Sequence, residues 1–322
     1  MHRRTLLILP AVAVLLSTAA PLRAADWPNR PVTVVVPFAA GGNTDMMARL
    51  GAQHLSAKLG QNFVVENRPS AGGALGTGLV AAAAPDGYTL LFAASSMITL
   101  TPQLQKLSFN PEKQLVPITN VGTGAQMIAI KRELPVKTLP EFLAYAKASP
   151  GKLNFTVAGT QNISHLAPVL LFARAGIDLV MVPSKGGPQA VSDVMSGQVD
   201  FYFGNASELL PHIDSDRIRL IAVGTAHRLA AAPDIPSVSE TLPGFEFSSW
   251  NGFLAPTGTP EPIITAIRSE ITALASPEVT ERLTKLGIVP GGLTGEQSEA
   301  VFRKDRESFA AAIKAAGIAG LQ

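Results

Sequence analysis

The stretch VTVVVPFAAGGNTDMMARL, residues 32–50, decides the fold. It opens with β-branched residues, which favour a buried strand. Two glycines follow, and the polar triplet NTD then begins an amphipathic segment that predicts a helix over residues 43–59. A strand, a glycine turn and a helix in this order leave the N–H groups and the positive dipole end of the helix free to face an anion.

The same alternation of β-rich runs and helical patterns continues along the chain. It predicts an α/β fold in which parallel-rich sheets carry helices on both faces. The expected strands are 32–38, 63–67, 88–94, 126–131, 153–158, 179–183, 199–205 and 220–224, and the expected helices between them include 43–59, 139–148, 164–175 and 188–196. After SSWNGFLAPTGTP only helices are expected, over 261–275, over 277–286 and from Thr294, where Gln297 predicts a capping box.

Composition places the chain among ordered globular proteins. It has 322 residues, of which 47% are hydrophobic and 16% charged, and it has no cysteine. The missing cysteines exclude a lipoprotein anchor, disulfides and thiolate metal sites. Without the three arginines of the N-terminal segment, acids and bases nearly balance, so no basic surface for nucleic acid is expected.

The first residues, MHRRTLLILPAVAVLLSTAAPLRA, predict a signal peptide over 1–25. A basic tip, an apolar run over 6–16 and small residues before a cleavage point after Ala24 or Ala25 are typical of secretory signals. The alternative is a membrane anchor, but the apolar run is shorter than the roughly 20 residues of a spanning helix. We therefore expect the mature protein in the bacterial periplasm.

A second strand, turn and helix occurs in LNFTVAGTQNISHLAPVLL, residues 153–171. Two such turns suggest a ligand held between two lobes, although a glycine after a strand is also simply how α/β proteins turn. Other polar residues follow expected strands and can reach the same cleft, because ligands of open parallel sheets bind at the carboxyl ends of strands. These residues are Ser95, Ser96, Lys185, Gly187 and Asn205.

Enzyme and cofactor patterns are weak. Gly76, Gly78 and Ala81 have the spacing of a dinucleotide fingerprint but lack the strand that should lead into it. The five histidines have no metal spacing, so neither a cofactor nor a metal is expected. A secreted α/β hydrolase remains an alternative, although no nucleophile and base can be paired from the sequence. His165 either contacts a ligand or caps its helix, and Asp45 is expected to hold its loop.

Several segments together resemble the Bug-type receptors of tripartite tricarboxylate transporters. They are WPNRPVTVVVPFAAGGNTD, VVENRPSAGGALGTGLVAAAAPDGYTLLFA, ASPGKLNFTVAGTQNISHLA, VPSKGGPQAVSDVMSGQVDFYF and NGFLAPTGTP, in the family's order. The resemblance implies a two-lobed, type II periplasmic binding protein that closes on a carboxylate and docks on a membrane transporter. It implies binding without catalysis, and leaves open a receptor that signals through a sensor protein.

By position, the resemblance implies that backbone amides of both turns grip the carboxylate. The first turn, residues 38–45, would contribute Phe38, Ala39, Ala40, Gly41, Gly42 and Asp45. The second turn, residues 159–165, would contribute Gly159, Thr160, Ser164 and His165. Gln161 and Asn162 depart from the family's glycine-serine pair and bring amide side chains to the mouth of the second turn. Ser184 and Ser70 are further departures, from a tyrosine and a glycine.

The lobes are expected at 26–120 plus 226–322 and at 121–225, with hinges near PITNVGT and IAVGT. The ligand is expected to be a di- or tricarboxylate, an aromatic carboxylate or an amino-acid-like acid. Because neither turn contains an arginine, a ligand with one carboxylate and a neutral far end also fits.

Overall fold

The computed structural model describes residues 27–315, so the signal peptide predicted over 1–25 lies outside the described residues. The strands are β1 Val32–Val36, β2 Phe63–Asn67, β3 Thr89–Ala94, β4 Leu115–Lys131, β5 Asn154–Val157, β6 Val180–Pro183, β7 Phe201–Asn205, β8 Ile218–Val223, β9 Ser248–Pro256 and β10 Ile288–Pro290. The helices are α1 Asn43–Leu59, α2 Ala74–Ala81, α3 Ser96–Thr99, α4 Thr101–Leu104, α5 Pro111–Gln114, α6 Leu139–Lys147, α7 Ile163–Ala175, α8 Gly187–Met195, α9 Ala206–Leu209, α10 Glu261–Ala273, α11 Pro277–Lys285 and α12 Gly295–Ala315.

The long strand β4 joins two halves of one sheet. The strand order is β2-β1-β3-β9-β4-β7-β5-β6, and β8 and β10 also pair with β4. The first part of β4, as far as Ala125, pairs with β9. The second part of β4, from Gln126, pairs with β7 and β8. We call β1, β2, β3, β9 and β10 with their helices the first half, and β5, β6, β7 and β8 with theirs the second half.

The α/β prediction is confirmed, with corrections in the C-terminal third and at the centre of the sheet. After SSWNGFLAPTGTP the chain does not contain only helices, because Ile288–Pro290 forms β10 against β4. SSWNGFLAP itself, which was not among the expected strands, forms β9 between β3 and β4. Eight of its nine residues are buried, so the segment lacks the alternation that marks a half-exposed strand. Pairing is parallel among β1, β2 and β3 and among β5, β6 and β7, but antiparallel wherever β4 or β9 takes part.

Apolar faces of the helices pack on each half of the sheet. In the first half, Phe92 and Phe253 meet edge to face at 4.8 Å. In the second half, Phe142 stacks on Phe201 at 5.1 Å. These aromatic contacts add to the burial of α10 on the first half and of α7 on the second.

Helix α12 packs on both halves. Phe302 meets Trp250 of the first half at 5.0 Å, and Phe309 lies 6.2 Å from Phe247 in the core of the second half. The capping box predicted at Thr294 is confirmed by a pair of hydrogen bonds with Gln297, of 2.9 and 3.2 Å. Within residues 27–315, no helix is both long enough and apolar enough to cross a membrane.

Candidate ligand-binding cleft

A cleft lies between the two halves, at the carboxyl ends of β1, β3, β5 and β7. It contains a cavity of about 100 Å³. The first half contributes residues from 37–44, 69–70, 94–96 and 249–251, and the second half contributes residues from 158–164, 185–187 and 205–208. Both turns singled out in the sequence therefore face one cavity, as the position of their strands in the sheet requires.

The structure separates the candidate site residues into two sets. Those that line the cleft are Phe38, Ala39, Gly42, Ser96, Gly159, Asn162, Ser164, Gly187 and Asn205. Those that lie beside it in the turns or behind it are Ala40, Gly41, Asp45, Ser95, Thr160, Gln161 and His165. Lys185 also lines the cleft, with an exposed side chain.

Asp45 holds the first turn in shape. Its Oδ2 atom accepts hydrogen bonds from the Gly41 N–H at 2.9 Å and from Arg49 Nε at 3.0 Å, and its Oδ1 accepts one from Asn67 Nδ2 at 2.9 Å. Burial alone would raise the pKa of Asp45, but the hydrogen bonds from Arg49, Gly41 and Asn67 outweigh it and lower the pKa. The amide of Gly41 is therefore used within the turn.

A carboxylate from the second half binds the N terminus of α1. Glu208, in α9, accepts a hydrogen bond at Oε1 from the Asn43 N–H at 3.0 Å. Ser207 beside it donates its hydroxyl to Asn43 Oδ1 at 2.7 Å. Sequence reasoning singled out Asn205 but missed Glu208 three residues later, because nothing local connects this residue with α1.

The second turn is held mainly by its own side chains. Asn162 caps α7, since its Oδ1 accepts hydrogen bonds from the backbone N–H and the hydroxyl of Ser164 at 2.9 and 2.8 Å. The Nδ1 atom of His165 accepts from the Gln161 N–H at 3.3 Å, and burial lowers the pKa of His165. His165 thus braces the turn, and Gln161 has the left-handed φ of 60°.

Backbone groups of the two halves meet on the α2 and α4 side of the cleft. The Gly72 N–H donates to the carbonyl oxygen of Thr160 at 3.0 Å, and Thr101 donates its hydroxyl to the carbonyl oxygen of Gln161 at 3.3 Å. On the other side, a Cβ atom added at Gly186 would lie 2.8 Å from Ala39 Cβ. The halves are therefore in direct contact at these two places.

Two buried serine hydroxyls in the cleft have no partner within the described residues. Ser96 and Ser249 are at most 2% exposed, both line the cavity, and their Oγ atoms form no hydrogen bond. Ser249 was not singled out in the sequence. Ser95, by contrast, hydrogen-bonds Asp305 of α12, whose pKa burial raises to about 6. Buried polar groups normally have partners, so the two free hydroxyls are candidates for contacts with a ligand or with water.

The polar groups of the cleft do not form a nucleophile and base pair. Ser164 donates its hydroxyl to Asn162, and Nδ1 of His165 accepts from a backbone amide. No cluster of three or more potential metal-binding side chains occurs in residues 27–315. The arrangement offers hydrogen bonds to a small polar molecule.

A family model described as the tripartite tricarboxylate transporter family receptor matches residues 47–318. The chain belongs to this receptor family. BugT of Bordetella pertussis is 33% identical over 321 residues, which cover 96% of this chain and 97% of that protein. The resemblance to Bug-type receptors is confirmed, and the family consists of binding proteins, not enzymes.

Two solved structures show the same fold with a bound carboxylate. A protein of R. palustris with adipate is 31% identical, has a TM-score of 0.87, and aligns over 91% of this chain and 99% of that one. MatC of Rhodopseudomonas palustris with bound malate is 30% identical, has a TM-score of 0.83, and aligns over 89% and 100%. The fold is that of the two-lobed periplasmic binding proteins.

Proposed function

We propose that this receptor captures a small carboxylate between its two lobes and delivers it to a tripartite tricarboxylate transporter. The observation that carries the proposal is the cleft, into which both halves bring a glycine turn and in which two buried hydroxyls have no partner among residues 27–315. The adipate and malate bound in related structures support a carboxylate as the ligand, and the family description supports a tripartite transporter as the partner. Amides and hydroxyls replace the hydration of the ligand when the lobes close.

The lobes are proposed to correspond to the two halves of the sheet. The first hinge lies in β4 near Ala125, where the strand changes partners. Phe245 and Phe247 pack in the core of the second half, which favours a second crossing just before β9 instead of the boundary near residue 226 expected from the sequence. Because α12 packs on both halves, a closing motion has to shift its contacts with at least one of them.

Thermal unfolding of residues 26–322 with a panel of carboxylates at millimolar concentration tests the binding proposal. A ligand at 100 times its Kd adds about 2.7 kcal/mol to the free energy of unfolding and raises Tm by a few degrees. The double variant Ser96→Ala, Ser249→Ala should lose most of this rise, whereas Ser269→Ala on the exposed face of α10 should keep it. No shift with any carboxylate would overturn the proposal.

Uptake of the identified ligand tests delivery. Cells that lack this receptor should lose concentrative uptake, and the wild-type gene should restore it. The Ser96→Ala, Ser249→Ala variant should restore uptake poorly. Unchanged uptake without the receptor would contradict a transport role and favour the sensor alternative.

A further inference from the structure

Glu208 is a carboxylate of the chain itself that occupies a place expected for a ligand carboxylate. Besides the Asn43 N–H, its Oε1 atom accepts from Asn205 Nδ2 at 3.2 Å, and its Oε2 accepts from the Tyr202 hydroxyl at 3.0 Å. Asn43 opens α1, a helix of 17 residues, and lies 165 positions from Glu208. The positive end of the α1 dipole is therefore already facing an acid.

The backbone around Glu208 leaves room for its carboxylate. A Cβ atom at Gly187, the first residue of α8, would lie 2.2 Å from Oε1 and 2.4 Å from Oε2. A Cβ at Gly42 would lie 3.4 Å from Oε1. Any side chain at residue 187 would displace the carboxylate, so the glycine creates the space in which Glu208 bridges the halves.

The hydrogen bonds of Glu208 match an ionised acid. An amide N–H, a side-chain NH₂ group and a phenol all donate to it, and none of these contacts needs a proton on the carboxyl group. Burial raises the pKa of Glu208, and its hydrogen bonds with Asn43, Tyr202 and Asn205 oppose that rise. A second carboxylate placed here would meet a like charge and an N–H already in use.

The other residues that line the cleft differ from Glu208 in charge. Apart from Lys185, whose side chain is exposed, the lining residues other than Glu208 are neutral. The two unpartnered hydroxyls can donate to a carboxylate there, and they are independent of the α1 terminus. The lining of the cavity thus combines two hydroxyl donors with one acidic acceptor, Glu208.

We propose that Glu208 determines the ligand class: the cleft prefers a small acid with one carboxylate and, at the end facing Glu208, a hydrogen-bond donor such as an ammonium group. Dicarboxylates of the same length bind less well. This inference rests on the proposed carboxylate-binding function and narrows it. Amino-acid-like acids are then favoured over the adipate and malate of the related structures.

Matched ligand series test the proposal by calorimetry. The C4 series is succinate, 4-aminobutyrate and butyrate, and the C6 series is adipate, 6-aminohexanoate and hexanoate. Wild-type protein should bind the amino acid of one series at least about tenfold more tightly than the dicarboxylate. Glu208→Gln, which keeps an acceptor for Asn43, should shrink that ratio by about tenfold, equal to about 1.4 kcal/mol. Glu133→Gln, an exposed site outside the cleft, should leave the ratio unchanged.

The outcomes separate this inference from the proposed function. If wild-type protein binds a dicarboxylate at least as tightly as its amino-acid partner and Glu208→Gln does not change the ratio, the role of Glu208 is wrong while carboxylate binding stands. If no member of either series, nor of the wider panel, binds folded wild-type protein, the proposed function fails as well. Circular dichroism and Tm establish that Glu208→Gln is folded, and Glu208→Ala serves as a second variant with the same expected direction.

Discussion

The first and second turns share a sequence pattern, but different groups satisfy their helices. In the second turn, Asn162 caps α7 from the adjacent position. In the first turn, the N-cap residue Gly42 makes no side-chain hydrogen bond, and Glu208 from the other half binds the Asn43 N–H instead. The comparison teaches that a backbone N–H at the start of α7 is hydrogen-bonded by an adjacent residue, whereas one at the start of α1 is hydrogen-bonded only when the two halves meet.

The turns also differ in how their loops are supported. Asp45 connects Gly41, Arg49 and Asn67, and so ties the first turn to α1 and to β2. The second turn depends on the short-range pairs Asn162 with Ser164 and Gln161 with His165. Loss of a support should therefore cost more in the first turn than in the second.

The largest effect is expected for Asp45→Ala. The substitution leaves the Gly41 N–H and the Asn67 amide without their acceptor, and it should lower the free energy of unfolding by about 2–3 kcal/mol. Urea unfolding at pH 7 measures this loss in the free energy of unfolding. Because the pKa of folded Asp45 is lowered, the wild-type advantage is present above the unfolded pKa and declines as pH falls through the folded pKa.

Arg49→Ala is the matched control for Asp45→Ala. The Arg49 side chain is 54% exposed, so its ion pair with Asp45 should contribute less than about 1 kcal/mol. If Arg49→Ala costs as much as Asp45→Ala, the ion pair and not the loop contacts supports the first turn.

A smaller effect is expected for Asn162→Ala in the second turn. Loss of the cap leaves the Ser164 N–H unpaired and should cost about 1 kcal/mol. Asn162→Asp keeps the acceptor at a helix N terminus and should stay within a few tenths of a kcal/mol of wild type. A loss for Asn162→Ala as large as that for Asp45→Ala would break the comparison between the turns.

The smallest effect concerns His165 and pH. Because burial lowers the pKa of His165 in the folded state, its contribution is present above the unfolded pKa and is lost as pH falls through the folded pKa. Wild-type protein should therefore lose slightly more stability than His165→Asn between pH 7.5 and the acid side of the folded pKa. Parallel unfolding curves for the two proteins over this range would show that His165 has its ordinary pKa.

Much of the fold was predictable because its signals are local. The valine run of β1, the Gly60 end of α1 with φ of 71° and the Thr294 capping box each depend on residues a few positions apart. The strand β9 and the first part of β4 were missed, since both lie at the buried centre of the sheet, where alternation disappears. Their antiparallel pairing joins segments more than 100 residues apart, which periodicity does not encode.

The sequence by itself determined that this protein is an α/β receptor of the tripartite tricarboxylate transporter family, with two glycine turns that end parallel strands. The α/β class and the turns follow from strand, turn and cap signals that act over a few residues, and the family follows from the resemblance of whole segments to the Bug-type receptors. Only the tertiary structure decided that Glu208 meets α1 and that Ser96 and Ser249 face the same cavity. Those contacts depend on how the two halves of the sheet pack. The polarity of the cleft is therefore set by residues that are far apart in the sequence, and spacing along the chain does not reveal it.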